Sequence, residues 1–180
     1  MANLLNCLDT ISIYVGTYRK YNEGSLFGKW LNLSDYSDYN ELIDAMKDLH
    51  KDEEDPEFMF QDYECNPFFV NLKLVGESYL SKDIYETAQQ INDSGLEVEI
   101  IEAYLDCIGY YNKDIDELLE RISDSYYGTY DSDEDFAQHI LEEDDTIPEN
   151  LPSCLYIDWE MTAKHLMYDY SASNGYYFRN

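Results

Sequence analysis

A chain of 180 residues, 44% of them hydrophobic, can bury the core of one compact domain or of two to three very small ones, which excludes a disordered acidic tail. Its 39 Asp and Glu against 11 Lys and Arg give a formal net charge of -28, which opposes compaction, repels nucleic acid and anionic membrane surfaces, and favours a basic protein groove. No run approaches 18 apolar residues, no export signal opens the chain, and Cys7, Cys65, Cys107 and Cys154 are scattered without a C-x-x-C pair; a cytoplasmic protein with reduced thiols is expected.

In chain order, TISIYV (10–15) alternates and is rich in β-branched residues, and SLFGKWLNL (25–33) follows the KYNEG turn as its hairpin partner. A helix is expected from Tyr39 to His50, with Leu42, Met46 and Leu49 as its apolar stripe and Asp38 with Glu41 as a capping box. EFMFQDYE (57–64) is the third strand. The middle of the chain reads as helical throughout: Ile84, Ala88 and Ile91 mark a helix closed by Ser94-Gly95, Val98 to Ile108 a second ended by Gly109, and Ile115 to Ile122 a third. SYYGTY (125–130) is β-prone, Ser132 and Asp135 cap a helix through Phe136 and Ile140, a helix covers Asp158 to Met167, and GYYFR (175–179) closes as a strand. The expected class is α+β in three small parts: residues 1–66 with an antiparallel sheet plus helix, 67–124 as a helical bundle, and 125–180 again α+β.

The charge is spread evenly, with a net of -9 over residues 1–70, -9 over 71–125 and -10 over 126–180. Acids recur opposite the apolar stripes: Glu41, Asp44 and Asp48; Glu99, Glu102 and Asp106; Asp116, Glu117, Glu120 and Asp124. Side chains three or four apart on a helix are neighbours, and like charges there are mutually destabilising, so rows with little interspersed lysine ask for a reason. Two runs add to them, Asp52-Glu53-Glu54-Asp55 and Glu142-Glu143-Asp144-Asp145, with Asp131, Asp133 and Glu134 between the rows and the second run. Acids at a helix C-terminus oppose the macrodipole, so helix stability does not account for these runs. Duplex DNA carries one charge per roughly 1.7 Å, so 28 charges match roughly 48 Å of duplex. A halophilic protein is the alternative explanation of the same numbers.

Catalytic chemistry is not indicated. No phosphate loop, zinc-protease helix or nucleophile elbow occurs. His50, His139 and His165 lie far apart, each on an expected helix and expected to be partly exposed rather than metal ligands. DSDEDFAQHILE (131–142) has the acids of a calcium loop, but Phe136 stands where the sharp turn needs glycine. Two special carboxylates would serve a glycosidase and leave all the others unexplained. The 19 tyrosines suggest stacking sites, yet single-strand grooves need positive charge. No cofactor, metal or catalytic residue is assigned.

Several long stretches resemble the ArdA antirestriction family. YVGTYRKYNEGSLFGKWLNL (14–33) and LHKDEEDPEFMFQDYE (49–64) are similar to its N-terminal part, DIYETAQQINDSGLEVEIIEAYLDCIG (83–109) to its middle, and SDEDFAQHILEED (132–144) and IPENLPSCLYIDWEMTAKHL (147–166) to its C-terminal part. The resemblance implies an elongated three-part α+β protein, encoded on mobile elements, that pairs as a homodimer. Its surface carboxylates would imitate the phosphates of bent B-form DNA and block type I restriction-modification enzymes without catalysis. The implied antirestriction motif holds Leu151, Pro152, Tyr156, Ile157, Asp158 and Glu160, in the part used for dimer pairing. Trp159 and Lys164-His165 depart from the family's pattern of tyrosine and an arginine-aspartate pair.

Overall fold

The computed structural model describes residues 7–109, 114–144, 147, 152 and 154–180. Contacts divide the chain into two compact units, Met1–Val98 and Glu99–Asn180.

In the first unit, strand β1 (Ser12–Thr17) is the centre of a three-stranded antiparallel sheet, flanked by β2 (Lys29–Asn32) and β3 (Phe58–Glu64). The central position follows from its composition: Ile13 and Val15 are wholly buried at alternate positions, as a half-buried pleat requires. The expected β1–β2 hairpin forms, although a short helix α1 (Tyr18–Asn22) occupies the first part of its connection. Gly28 has no substitute there, because a Cβ would stand 2.5 Å from the Val15 carbonyl oxygen. The β1–β3 register shifts between Tyr14 and Val15, which pair with Asp62 and Phe60 and leave Gln61 as the extra residue of a bulge.

Helix α2 (Tyr39–Leu49) buries Leu42 and Met46, two of the three stripe residues expected, while Leu49 is half-buried. Its cap is a variant of the box read from sequence. Asp38 accepts from the amides of Asn40 and Glu41, and the Glu41 carboxylate reaches one residue further back, to the amide and hydroxyl of Ser37, both at 2.6 Å.

The chain then departs from the helical reading. Pro67 opens a single helical turn, α3 (Pro67–Asn71), and β4 (Val75–Gly76) pairs antiparallel with β5 (Tyr79–Leu80). Strands of two residues carry no periodicity for a sequence reading to detect. Helix α4 (Ile84–Ser94) buries Ile84, Ala88 and Ile91, and Gly95 closes it at a φ of 71°. Phe68, Phe69, Val75, Leu33 and Met46 complete a core of fully buried side chains in this unit.

In the second unit, α5 (Val98–Ile108) and α6 (Ile115–Ser125) are amphipathic, and α6 leads directly into β6 (Tyr126–Thr129). Ser132 caps α7 (Asp133–Glu143) through the Asp135 amide at 3.1 Å. The calcium-loop-like segment is therefore helix from its third residue onward. Helix α8 (Trp159–Leu166) starts at an Asp158 cap and is followed by β7 (Tyr170–Ser173), absent from the sequence reading, and β8 (Tyr176–Arg179). These strands order as β6-β8-β7, all antiparallel. One core cluster of this unit is largely aromatic, with Ile140, Leu166 and Met167 packed into it: Phe136 stacks on Tyr177 at 4.4 Å and meets Tyr130 and Tyr170 edge-on.

Candidate functional site

Among the described residues the acids stand mostly on exposed helix faces and loops, so the candidate site is a surface, built face by face. On α2, Glu41, Asp44 and Asp48 are all exposed. The local helix sets them on one side, because burying Leu42 and Met46 turns the intervening positions outward. Lysine is interspersed here more than the sequence reading allowed: Lys47 lies 3.8 Å from Asp44 and Lys51 3.8 Å from Asp48. Both pairs are open to water, where such contacts are weak and leave the carboxylates accessible.

The 52–55 run splits. Asp52, Glu54 and Asp55 are exposed, but Glu53 is buried and does not belong to the surface assigned to it. Its carboxylate accepts the Thr17 hydroxyl at 2.7 Å and faces the Lys20 ammonium at 3.4 Å, an ion pair and hydrogen bond that make its burial tolerable. His50 likewise corrects the expectation of a partly exposed histidine, being fully buried. Lys20 offers only donors, so His50 Nδ1 accepts from it at 3.0 Å and Nε2–H donates to the Val15 carbonyl at 3.2 Å. The Lys20 ammonium also holds the Asp52 carboxyl below its ordinary range through a 2.7 Å hydrogen bond. Glu41 is lowered in the same sense by the Ser37 hydroxyl and amide.

In the second unit, Glu99 and Asp106 of α5 are exposed and Glu102 is half-buried. On α6, Asp116, Glu120 and Asp124 are exposed along one flank while Leu118, Leu119 and Ile122 are buried; Glu117 is half-buried. Asp131, Asp133, Glu134, Glu142, Glu143 and Asp144 are exposed, and Asp145 lies outside the described residues. Asp133 accepts the Tyr177 hydroxyl at 2.6 Å, and Glu143 lies 3.4 Å from the His139 ring. Seventeen of the twenty-one acids assigned from sequence are thus exposed. Other exposed acids of the same kind stand outside the rows expected from sequence: Asp62 and Glu64 alternate outward on β3, and Glu86 and Asp93 stand one heptad apart on the exposed side of α4. Period two and the i, i+7 spacing were the signals for them.

Of the motif residues, Leu151 lies outside the described residues. Pro152, Tyr156, Asp158 and Glu160 are exposed and Ile157 is half-buried. Tyr156 is 90% exposed, and Leu155, Met161 and Tyr168 are exposed as well. Lys164 and His165 fall in the last turn of α8, where cations suit the helix dipole, and Trp159 opens the helix half-buried. Among the described residues no group of His, Cys, Asp and Glu is arranged to hold a metal ion, and no helix is long and apolar enough to cross a membrane.

One family model matches this chain, described as Antirestriction protein (ArdA), and the match runs over residues 13–178. The chain belongs to the ArdA antirestriction family. No curated protein and no solved structure matches it. ArdA membership implies an antirestriction function, that is, action on restriction enzymes. The matched span takes in every face described above, so the rows on α2, α5, α6 and α7 all belong to the ArdA portion of the chain.

Proposed function

We propose that this chain is a mimic of B-form DNA that occupies the DNA-binding channel of a type I restriction-modification enzyme, competing with the duplex and performing no catalysis. The exposure of carboxylates on one helix after another, against a net charge of -28, is the observation that carries this reading. A channel that releases counterions on binding duplex phosphates gains the same entropy from an array of fixed carboxylates. Carboxylates on folded helices avoid most of the ordering cost that a flexible acidic chain would meet on binding. The apolar surface around Tyr156 and Met161 suits a contact between two copies, so the active species in this reading is a homodimer. In this reading it protects the incoming DNA of a mobile element, and it works in the cytoplasm, where that DNA meets the enzyme.

The deciding experiment is a competition. Purified type I enzyme and labelled duplex are mixed with the chain, and the bound duplex is measured by gel shift. Displacement of the duplex, reversed by excess unlabelled duplex, is expected. Undisturbed enzyme–DNA complexes would sink the reading, and displacement of DNA from an unrelated basic DNA-binding protein but not from the type I enzyme would redirect it to that target.

A further inference from the structure

Lys20 is used differently from the other described lysines. Its side chain is only 13% exposed, and its ammonium meets Asp52 at 2.7 Å, His50 at 3.0 Å and Glu53 at 3.4 Å. An ammonium has three donors, and three acceptors surround it. The Phe27 ring covers the same group at 4.8 Å from its centroid. The cluster ties three pieces of the first unit together: Thr17 and Lys20 at the start of α1, His50 at the end of α2, and the loop leading to β3. The Glu53 amide adds a 2.9 Å hydrogen bond to the His50 carbonyl. Immediately beyond this grip, Glu54 and Asp55 stand exposed.

We propose that Lys20 is a positioning residue for inhibition: by drawing Glu53 inward and pinning Asp52, it fixes where Asp52, Glu54 and Asp55 stand toward a basic channel. The inference rests on the mimic reading and separates placement from total charge. Lys20→Met makes the chain one charge more negative, so if total charge governed inhibition the variant would inhibit as well or better. Placement governs the opposite result. Without its cation the buried Glu53 carboxylate keeps only the Thr17 hydroxyl and turns to water, taking the loop with it.

The test compares inhibition of a type I enzyme by wild type, Lys20→Met, Lys20→Met/Glu53→Gln and Lys82→Met, each well below its own unfolding transition. Lys82→Met makes the same charge change at an exposed position ahead of α4. Inhibition weakened about fivefold or more is expected for Lys20→Met, against a change within about twofold for Lys82→Met. The double variant buries a neutral amide and recovers part of the loss. Hydrogen exchange reads the loop directly: the Glu53 amide of Lys20→Met exchanges about tenfold faster while the α2 amides keep their protection. A purely structural role would lower the melting temperature and leave the folded variant as inhibitory as Lys82→Met, and that result overturns the proposal. Should Lys20→Met fail to fold, the double variant decides, since Asp52 has lost its pin there too; wild-type inhibition by it is then the overturning result. A wild-type chain that does not inhibit is a distinct failure, striking the mimic reading first and this inference with it.

Discussion

At the scale of single residues, the acids of this chain fall into two chemical situations. Most are solvated, while a few are tethered by donors that came from elsewhere in the fold. Tyr177 is the clearest donor: its ring is buried against Phe136, and its hydroxyl reaches Asp133 at 2.6 Å. Burial first, then the Asp133 hydrogen bond and charge, push its phenol well above the ordinary tyrosine range. A raised folded-state value means that the contribution is complete below the unfolded value, about 10, and is lost as pH rises beyond it. Tyr177→Phe keeps the ring packing and removes the hydroxyl. It should lower stability by about 0.5–1.5 kcal/mol at neutral pH and make the decline above pH 10 shallower. Urea unfolding at neutral pH and at a pH just above 10 measures both; an unchanged alkaline decline would show that this phenol is not its source. Such tethers were illegible in the sequence. Tyr177 and Asp133 are 44 positions apart, as Lys20 and Glu53 are 33, and no local spacing announces them. The caps at Asp38 and Ser132 were legible because their partners lie within three residues.

At the scale of elements, the long helices were legible, while the short helices α1 and α3 and the strands β4, β5 and β7 were not. Eleven-residue helices such as α2, α4, α5 and α6 repeat their apolar stripe about three times, and Gly95 marks an end that only a left-handed residue can make. Strands β4, β5 and β7 have two to four residues and acquire their identity from the partner strand. The same helical periodicity that exposes the acids makes them costly. Glu120 and Asp124 follow Asp116 at steps of four on α6, and Asp124 sits near the negative end of the helix dipole. Replacing both, Glu120→Gln with Asp124→Asn, removes two like-charge contacts and an unfavourable dipole interaction. The double variant should gain about 0.5–1 kcal/mol in thermal or urea unfolding while inhibiting the type I enzyme about two- to threefold less well. A gain in stability with no loss of inhibition would remove this face from the proposed contact. A loss of all inhibition would point to one discrete site instead of a distributed array.

At the scale of the whole molecule, a net charge of -28 places folding and function in opposite relations to salt. Within each copy the carboxylates repel one another, and ions shorten the reach of that repulsion from about 10 Å at 0.1 M to about 3 Å at 1 M. Folding should therefore be favoured as salt rises, with the melting temperature climbing steeply at low ionic strength and flattening once the charges no longer see each other. Against a basic channel the sign reverses. Binding releases the cations gathered around the decoy's own carboxylates and the anions along the channel, so affinity should fall linearly in log–log form, with a slope that counts the carboxylates standing in for phosphates. The two curves, measured on one preparation between 50 mM and 500 mM sodium chloride, discriminate the readings of the acidic composition. A halophilic protein shows the first effect and has no inhibition to lose. A catalyst or a single-contact inhibitor shows a slope of about one or less. A distributed mimic shows both effects together, growing more stable and less inhibitory over the same range, and its slope should shrink in the Glu120→Gln/Asp124→Asn variant, because those two anions have left the count.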